Sequence, residues 1–342
     1  MQDIAYYFEM SKNIRSLRAV PKIWNYLKYR CSRKTVHTPI QRYTPQIGSL
    51  FLAKRCNLRC DYCSTENVMS QSRDKGKWRE EEATIEIVKQ VFTNPLLQNC
   101  LLIDLLGGEP LLVKDLEEIV SFLSQRGHMT NMVTNGILLK KRIRGLKEAG
   151  ITRINISLYE ENKKHMESDL QSINEVFRVH TSMVLQRSLI AANAEEIISR
   201  AHFVRDAGAR SLRFFIYRPV GASNIPEEVI SDVDLEYRDF QTRLNELLPG
   251  FCIWPAPIKR GTIEKRCAQL WQRVDVDMKG RVFICCGSDN MLEGENSNLF
   301  EAEPSALFDH PTWKELRGNL MDPTLAPPEL CKDCNLLGDP GW

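Results

Sequence analysis

What most narrows the fold of this chain is an alternation in its middle. Six segments with strand character, at 48–53, 101–106, 129–134, 153–159, 182–190 and 211–219, are separated by segments with a helical apolar period at 81–92, 114–125, 138–149, 170–180 and 194–207. Gly127, Gly150 and Gly208 stand where helices want a left-handed cap. Repeated βα units predict an α/β protein with a parallel sheet and helices on its outside. Residues 153–159 distinguish an open doubly wound sheet from a barrel. Ile154, Ile156 and Leu158 alternate with Asn155, Ser157 and Tyr159, so one face is aliphatic and the other polar. A doubly wound sheet buries both faces in apolar side chains. A polar face suits a lumen, and Arg213 and Tyr217 repeat the pattern more weakly. The expectation is a partial (β/α)6 TIM-like barrel.

The pattern changes beyond residue 219. Residues 230–248 read as one long helix opened by Ser231 or Asp232. A linker-like Trp254-Pro255-Ala256-Pro257 follows, then a hairpin signal in which 273–277 and 281–285 flank Met278-Lys279-Gly280. The predicted division is a basic amphipathic extension at 1–47, a barrel at 48–250 and a small hairpin-and-helix domain at 251–342. No stretch approaches the roughly 18 apolar residues of a membrane span. Charges occupy the N-terminus where a signal peptide needs an apolar run, so a cytoplasmic protein is expected. Charge is segregated: residues 1–45 hold nine Lys/Arg against two Asp/Glu, a net of +7, and the remainder carries −5.

Eleven cysteines are many for a chain expected to keep its thiols reduced, and clusters of them point to metal or catalysis rather than disulfides. Cys100 and Cys252 stand alone and read as small buried hydrophobes. Cys56, Cys60 and Cys63 fall within eight residues, on the loop that follows the first strand. Parallel βα folds build their active sites at that end of their strands. Three thiolates on one loop can hold three irons of a [4Fe–4S] cluster, leaving the fourth iron open; an electron-transfer cluster uses four cysteines. Structural zinc wants a fourth cysteine or histidine, and none lies near in sequence. At the end of the second strand, Gly107-Gly108-Glu109-Pro110 combines glycines that permit close backbone approach with a carboxylate able to accept from an ammonium group.

Cys-x3-Cys-x2-Cys with an aromatic before its last cysteine, together with the GGEP turn, resembles the radical S-adenosylmethionine superfamily. The resemblance spans about residues 48–220 and implies a partial (β/α)6 barrel. It implies that Cys56, Cys60 and Cys63 ligate the cluster whose open iron chelates S-adenosylmethionine. It implies further that Tyr62 lies beside the adenine, that Gly107, Gly108 and Glu109 belong to the motif binding the methionine amine, and that Ser157 touches the ribose or carboxylate. Thr134-Asn135-Gly136 matches a common strand ending.

Later in the chain, Cys267 is followed by Gly280-x4-Cys285, then Cys286, and finally Cys331-x2-Cys334. Spacing alone is compatible with a zinc ribbon. The order also resembles the SPASM/twitch extension of the same superfamily, which implies one auxiliary [4Fe–4S] cluster held by Cys267, Cys285, Cys331 and Cys334. Cys286 is a spare that can stand in for Cys285. With two clusters, the resemblance implies an oxidoreductase that removes a hydrogen atom from a substrate C–H, most simply a dehydrogenation of a carbohydrate-like or natural-product precursor. Crosslinking or epimerisation of a ribosomally made peptide is the alternative, and a zinc-bound scaffolding protein is the non-catalytic one. A reductant such as flavodoxin or ferredoxin is implied. No catalytic side chain is singled out. His165, Gln186, Arg187, Arg213, Tyr217 and Arg218 lie where they could reach substrate. The basic run at the N-terminus is too short to argue for nucleic acid, and a solvated helix packed on the barrel is its simplest reading.

Overall fold

The computed structural model describes residues 17–32, 44–60, 63, 82–217, 226–258, 267–288, 290–331, 334 and 336–337. Strands β1 (Ile47–Phe51), β2 (Leu102–Leu106), β3 (Met129–Thr134), β4 (Arg153–Ser157), β5 (His180–Leu185) and β6 (Leu212–Ile216) pair in consecutive order, every pair parallel. The order never reverses, as it must in a doubly wound sheet. The sheet is the wall of a partial TIM-like barrel. Its outer face carries the core: Leu50, Ile103, Leu105, Met132, Ile154 and Ile156 are buried there in one apolar cluster with side chains of the covering helices. Those helices are α2 (Ile85–Val91), α4 (Leu116–Gln125), α5 (Leu139–Ala149), α6 (Lys163–Val176) and α7 (Arg187–Asp206), with α1 (Val20–Ser32) before β1 and a single turn, α3 (Pro95–Gln98), before β2.

Two strands from beyond residue 250 extend the sheet at its edges. β7 (Cys252–Ile253) adds to β6, and β8 (Arg273–Asp277) adds in parallel to β1. The predicted boundary at 250 therefore does not coincide with the edge of the sheet. The predicted hairpin is present: β8 turns at Gly280 and returns through bridges such as Val276 to Val282. Between β7 and β8 lies the short α9 (Gln269–Gln272); beyond the hairpin lie α10 (Pro304–Phe308) and α11 (Pro311–Met321).

Three predicted elements shift. The fifth strand ends at Leu185, and 187–190 form the first turn of α7, which bends at Asn193; period cannot separate a short buried strand from a helix start. α6 begins at Lys163, seven residues earlier than expected, because its first turns bury only Met166 and carry little apolar pattern. The long helix α8 (Leu235–Leu247) begins at Asp234 rather than Ser231, and the Asp234 carboxylate instead accepts from the Ser231 amide at 2.6 Å.

The lumen is layered along the strands. Ile47, Leu102 and Met129, at the strand starts, pack with Tyr26 and Ile23 of α1 into a second apolar cluster that floors the barrel. Above it Ser49, Asp104 and Asn131 stand side by side in register, with Asp275 beside Ser49. Arg273 donates to Ser49 Oγ at 2.6 Å and pairs with Asp104 at 2.8 Å, while Asn131 donates to the other Asp104 oxygen at 2.8 Å. Burial works against the Arg273 charge, but Asp275 and Asp104 outweigh it and raise its pKa. This network stitches β8 to the barrel.

Candidate active site

The cysteine loop leaves β1 at the mouth of the barrel, opposite the floor. Cys56 is exposed, and Cys60 and Cys63 are half-buried. The last two are joined through the backbone, the Cys63 amide donating to the Cys60 carbonyl at 3.0 Å. The Leu58 amide donates to Cys56 Sγ at 3.4 Å, and Asn135 Nδ2 lies 3.8 Å from the same sulfur. Although Cys56 is exposed as a residue, partial desolvation by the neighbouring chain pushes its thiol above the usual range, against the pull of that amide; an electropositive metal would reverse the direction.

Cys56, Cys60, Cys63, Gly107, Gly108, Glu109 and Ser157 all line one cavity of about 310 Å³, so the fold brings together residues spread over a hundred positions. Tyr62 lies outside the described residues. Lys54, Phe51, Val133 and Val184 complete much of the wall. Three cysteines on one loop, bordering a cavity, make a suitable donor set for a cluster whose irons each take their own thiolate. Among the described residues no three His, Cys, Asp or Glu side chains converge on a single ion.

The GGEP turn is packed tightly against the cysteine loop. A Cβ on Gly107 would collide with the Ala53 carbonyl oxygen, and one on Gly108 with that of Arg55. The close approach is thus to the chain's own cysteine loop, and the Gly108 and Glu109 amides donate to Ala53 and Arg55 carbonyls at 2.6 and 2.9 Å. Gly107 also has φ of +140°, open to glycine alone at little cost. The Glu109 side chain is buried and engaged: it accepts from the Leu111 amide at 2.9 Å, Thr134 Oγ1 at 2.6 Å and the Asn135 amide at 2.8 Å. It ties the second strand's turn to the third strand's end. Asn135 in turn donates to Asn57 Oδ1 at 2.8 Å, so three loops are locked around the cavity.

Tyr159 is a wall residue whose role the sequence did not single out. Burial raises its phenol pKa, and the three nearby cysteines raise it further, while Ser157 hydrogen-bonds to it. Its position two residues past Ser157 on the polar face was the available signal. Lower in the lumen, Asn155 donates to Ser182 Oγ at 2.7 Å, with Arg213 beside Ser182 on the next strand. The other substrate candidates fall elsewhere. His165 is exposed on α6, Arg187 pairs with Asp234 at 2.8 Å, Tyr217 is buried in a separate small cluster, and Arg218 is outside the described residues. Cys100 and Cys252 are buried as expected.

In the C-terminal part, Cys267, Cys285, Cys331 and Cys334 are half-buried against the main apolar cluster. The Cys334 amide donates to the Cys331 carbonyl at 3.2 Å, as the Cys63 amide does to Cys60 in the first loop. Burial pushes the Cys267 thiol up to about 12, and the neighbouring thiols that add to this are Cys286, Cys334 and Cys331. Cys286, rather than Cys285, is thus the member of the pair whose charge bears on Cys267.

Residues 50–217 match the family model described as the Radical SAM superfamily. The chain is 33% identical over 300 residues to GTP 3′,8-cyclase of Aquifex aeolicus, covering 77% of this chain and 87% of that protein. It is 30% identical over 246 residues to GTP 3′,8-cyclase of Corynebacterium glutamicum, where it spans 60% of the relative's length. Among solved structures, Streptococcus suis SuiB superposes with a TM-score of 0.60 over 84% of this chain and 77% of that one, at 14% identity, a likeness of fold. Motif, cavity, barrel and relatives agree, and the chain belongs to the radical S-adenosylmethionine superfamily.

Proposed function

We propose that this enzyme removes a hydrogen atom from a ring carbon of a sugar-bearing substrate held in the barrel lumen, with GTP the first candidate. Family membership implies one [4Fe–4S] cluster and S-adenosylmethionine, which when bound supply a 5′-deoxyadenosyl radical. The observation that carries the substrate reading is the likeness to the Aquifex GTP 3′,8-cyclase, which covers 77% of this chain and 87% of that protein. Its name places the reaction on a nucleotide. The expectation of a net sugar-alcohol oxidation gains no support from these relatives, whose name records a ring closure. The peptide alternative gains none from SuiB, a likeness of fold.

In this reading Cys56, Cys60 and Cys63 hold the cluster. The Glu109 carboxylate accepts from three donors and keeps one acceptor site on Oε2, so in this reading it and the Gly107–Glu109 turn together receive the methionine amine. Ser157 and Tyr159 border the rest of the cofactor, and Tyr62 is assigned to the adenine. Asn155, Ser182 and Arg213 offer hydrogen bonds and one positive charge to a polar substrate deeper in the lumen. Cys267, Cys331, Cys334 and one of Cys285 and Cys286 hold a second, twitch-type cluster. The protein otherwise positions the substrate and excludes water.

Anaerobically reconstituted protein, incubated with S-adenosylmethionine, a reductant and GTP deuterated at C3′, tests this. Deuterium in the 5′-deoxyadenosine formed is the expected result. Transfer from a deuterated cyclitol or amino-sugar but none from GTP would keep the sugar ring and discard the nucleotide. Transfer only from a peptide would discard both. Iron analysis should give roughly eight irons per chain, and about half that in the Cys331→Ala/Cys334→Ala double variant.

A further inference from the structure

Helix α1 has two apolar faces, and the barrel uses only one. The inner face is committed to the floor. Tyr26 and Ile23 pack on Ile47, Leu101, Leu102 and Met129. Lys22 Nζ donates to the Gln98 carbonyl at 2.5 Å, and Asn25 Nδ2 reaches the Asn99 carbonyl at 3.4 Å. Ala19 lies so close to Gly127 that a Cβ on the glycine would collide with the Ala19 amide nitrogen. A helix that merely packs on a barrel turns polar residues outward. Here Val20, Trp24 and Leu27, at i, i+4 and i+7, form an outward stripe that Leu17 continues in the turn before. They are 59%, 60%, 46% and 90% exposed. Among the described residues these are four of the ten exposed large apolar side chains, gathered within eleven positions. Arg18 and Lys28 stand exposed at the two ends of the stripe, Lys28 over the Trp24 ring at 5.7 Å.

We propose that this stripe docks the protein on an anionic membrane surface. The occupant follows from charge as well as apolarity. Residues 17–32 hold four Lys/Arg and no Asp/Glu, while residues 46–342 carry a net −5, so an anionic surface attracts α1 and repels the remainder. A Trp/Leu/Val stripe edged by Lys and Arg is the composition that lies in the headgroup region. No helix among the described residues is long and apolar enough to cross a membrane, so the contact is peripheral. It is also compatible with turnover. The stripe lies at the strand starts, and the cavity opens at the strand ends, so a docked molecule keeps its mouth in water.

Co-sedimentation of the full chain with vesicles tests the proposal, using phosphatidylcholine alone or mixed with phosphatidylglycerol. Binding is expected to the mixed vesicles, to weaken with salt, and to be lost at least about tenfold in Val20→Ser/Trp24→Ser/Leu27→Ser. That variant should retain its iron and its cleavage of S-adenosylmethionine, because the stripe touches neither floor nor cavity. Should it fail to fold, Arg18→Glu/Lys28→Glu makes the same test through charge alone. Absence of binding to mixed vesicles, or equal binding by wild type and folded variants, overturns the proposal. So does self-association that the triple variant abolishes in a protein that ignores vesicles, which would make the occupant a second copy of this chain.

Discussion

The two ends of the barrel are made of different materials. At the floor, Ile47, Leu102 and Met129 are sealed by Tyr26 of α1, and the contacts are apolar packing and carbonyl-directed hydrogen bonds. At the mouth, half-buried thiols, a buried carboxylate and side-chain amides hold three loops around a cavity. Parallel barrels separate stability and chemistry in this way because loops at strand ends vary without disturbing the wall. The mouth of this barrel is nonetheless not loose. Glu109 and Asn135 bind its loops into one frame, and the Arg273 network links it to β8 from below.

The largest effect should come at the mouth. Cys56→Ala, Cys60→Ala or Cys63→Ala should each abolish formation of 5′-deoxyadenosine while leaving the urea midpoint of the apoprotein nearly unchanged, since none of the three is deeply buried. Wild-type cleavage by any one of them would break the assignment of the mouth as the reacting end.

Arg273→Ala is next. It strands Asp104 and Asp275 in the lumen, and breaking a buried pair costs about 3–5 kcal/mol. Arg273→Met/Asp104→Leu should recover only the part due to Asp104, because Asp275 stays buried without its cation, measured by urea unfolding. A double variant as unstable as the single would show that the network does more than neutralise charge.

Glu109→Ala should cost about 2–3 kcal/mol of stability, as hydrogen bonds to a charged acceptor are lost. The sequence reading placed this carboxylate at the ligand, which predicts weaker S-adenosylmethionine binding with the iron retained. Calorimetric melting beside a binding isotherm reads the two effects separately.

The smallest effect concerns the floor. Burial holds the His128 imidazole down at about 3, with Lys22 adding to it, and its Nδ1 lies 2.8 Å from the Cys100 carbonyl. An unfolded histidine titrates near 6.5. As pH falls below that value the unfolded state takes the proton first, so stability is lost from about pH 6.5 down towards 3, by at most about 1.4 kcal/mol per pH unit. His128→Gln, which keeps a donor but no titrating group, should flatten that slope in urea midpoints measured from pH 7 to 5. His180, also held at about 3 by burial, leaves a residual slope. A slope identical to wild type would remove His128 from the account.

Much of this was legible in the chain. The period-two pattern of Arg153–Ser157 placed Ile154 and Ile156 under helices and Asn155 and Ser157 in the lumen, and both placements hold. The cysteine loop and the GGEP turn were legible as neighbours because both follow strands that pair. The partners of Glu109 were not, since Thr134 and Asn135 reach it across twenty-five residues of helix and strand. β8 was readable as half of a hairpin, but not as the strand beside β1. Its pairing joins positions more than two hundred residues apart, and no local pattern records that. The outward stripe of α1 was hidden for a related reason. Tyr26 and Trp24 look alike in a list of aromatic residues until one of them is seen against the floor.

By itself the sequence determined the spacing of Cys56, Cys60 and Cys63, the alternation that makes a barrel wall, and the segregation of charge. These are properties of covalent neighbours and of short periods, which need no knowledge of the rest of the chain. Only the tertiary structure decided that Glu109 is a tie between loops, that Arg273 reaches Asp104, that Cys286 approaches Cys267, and which face of α1 remains outside. Each of those depends on which surfaces the closing sheet brings together, and a buried charge or thiol takes its character from whatever the packing sets beside it.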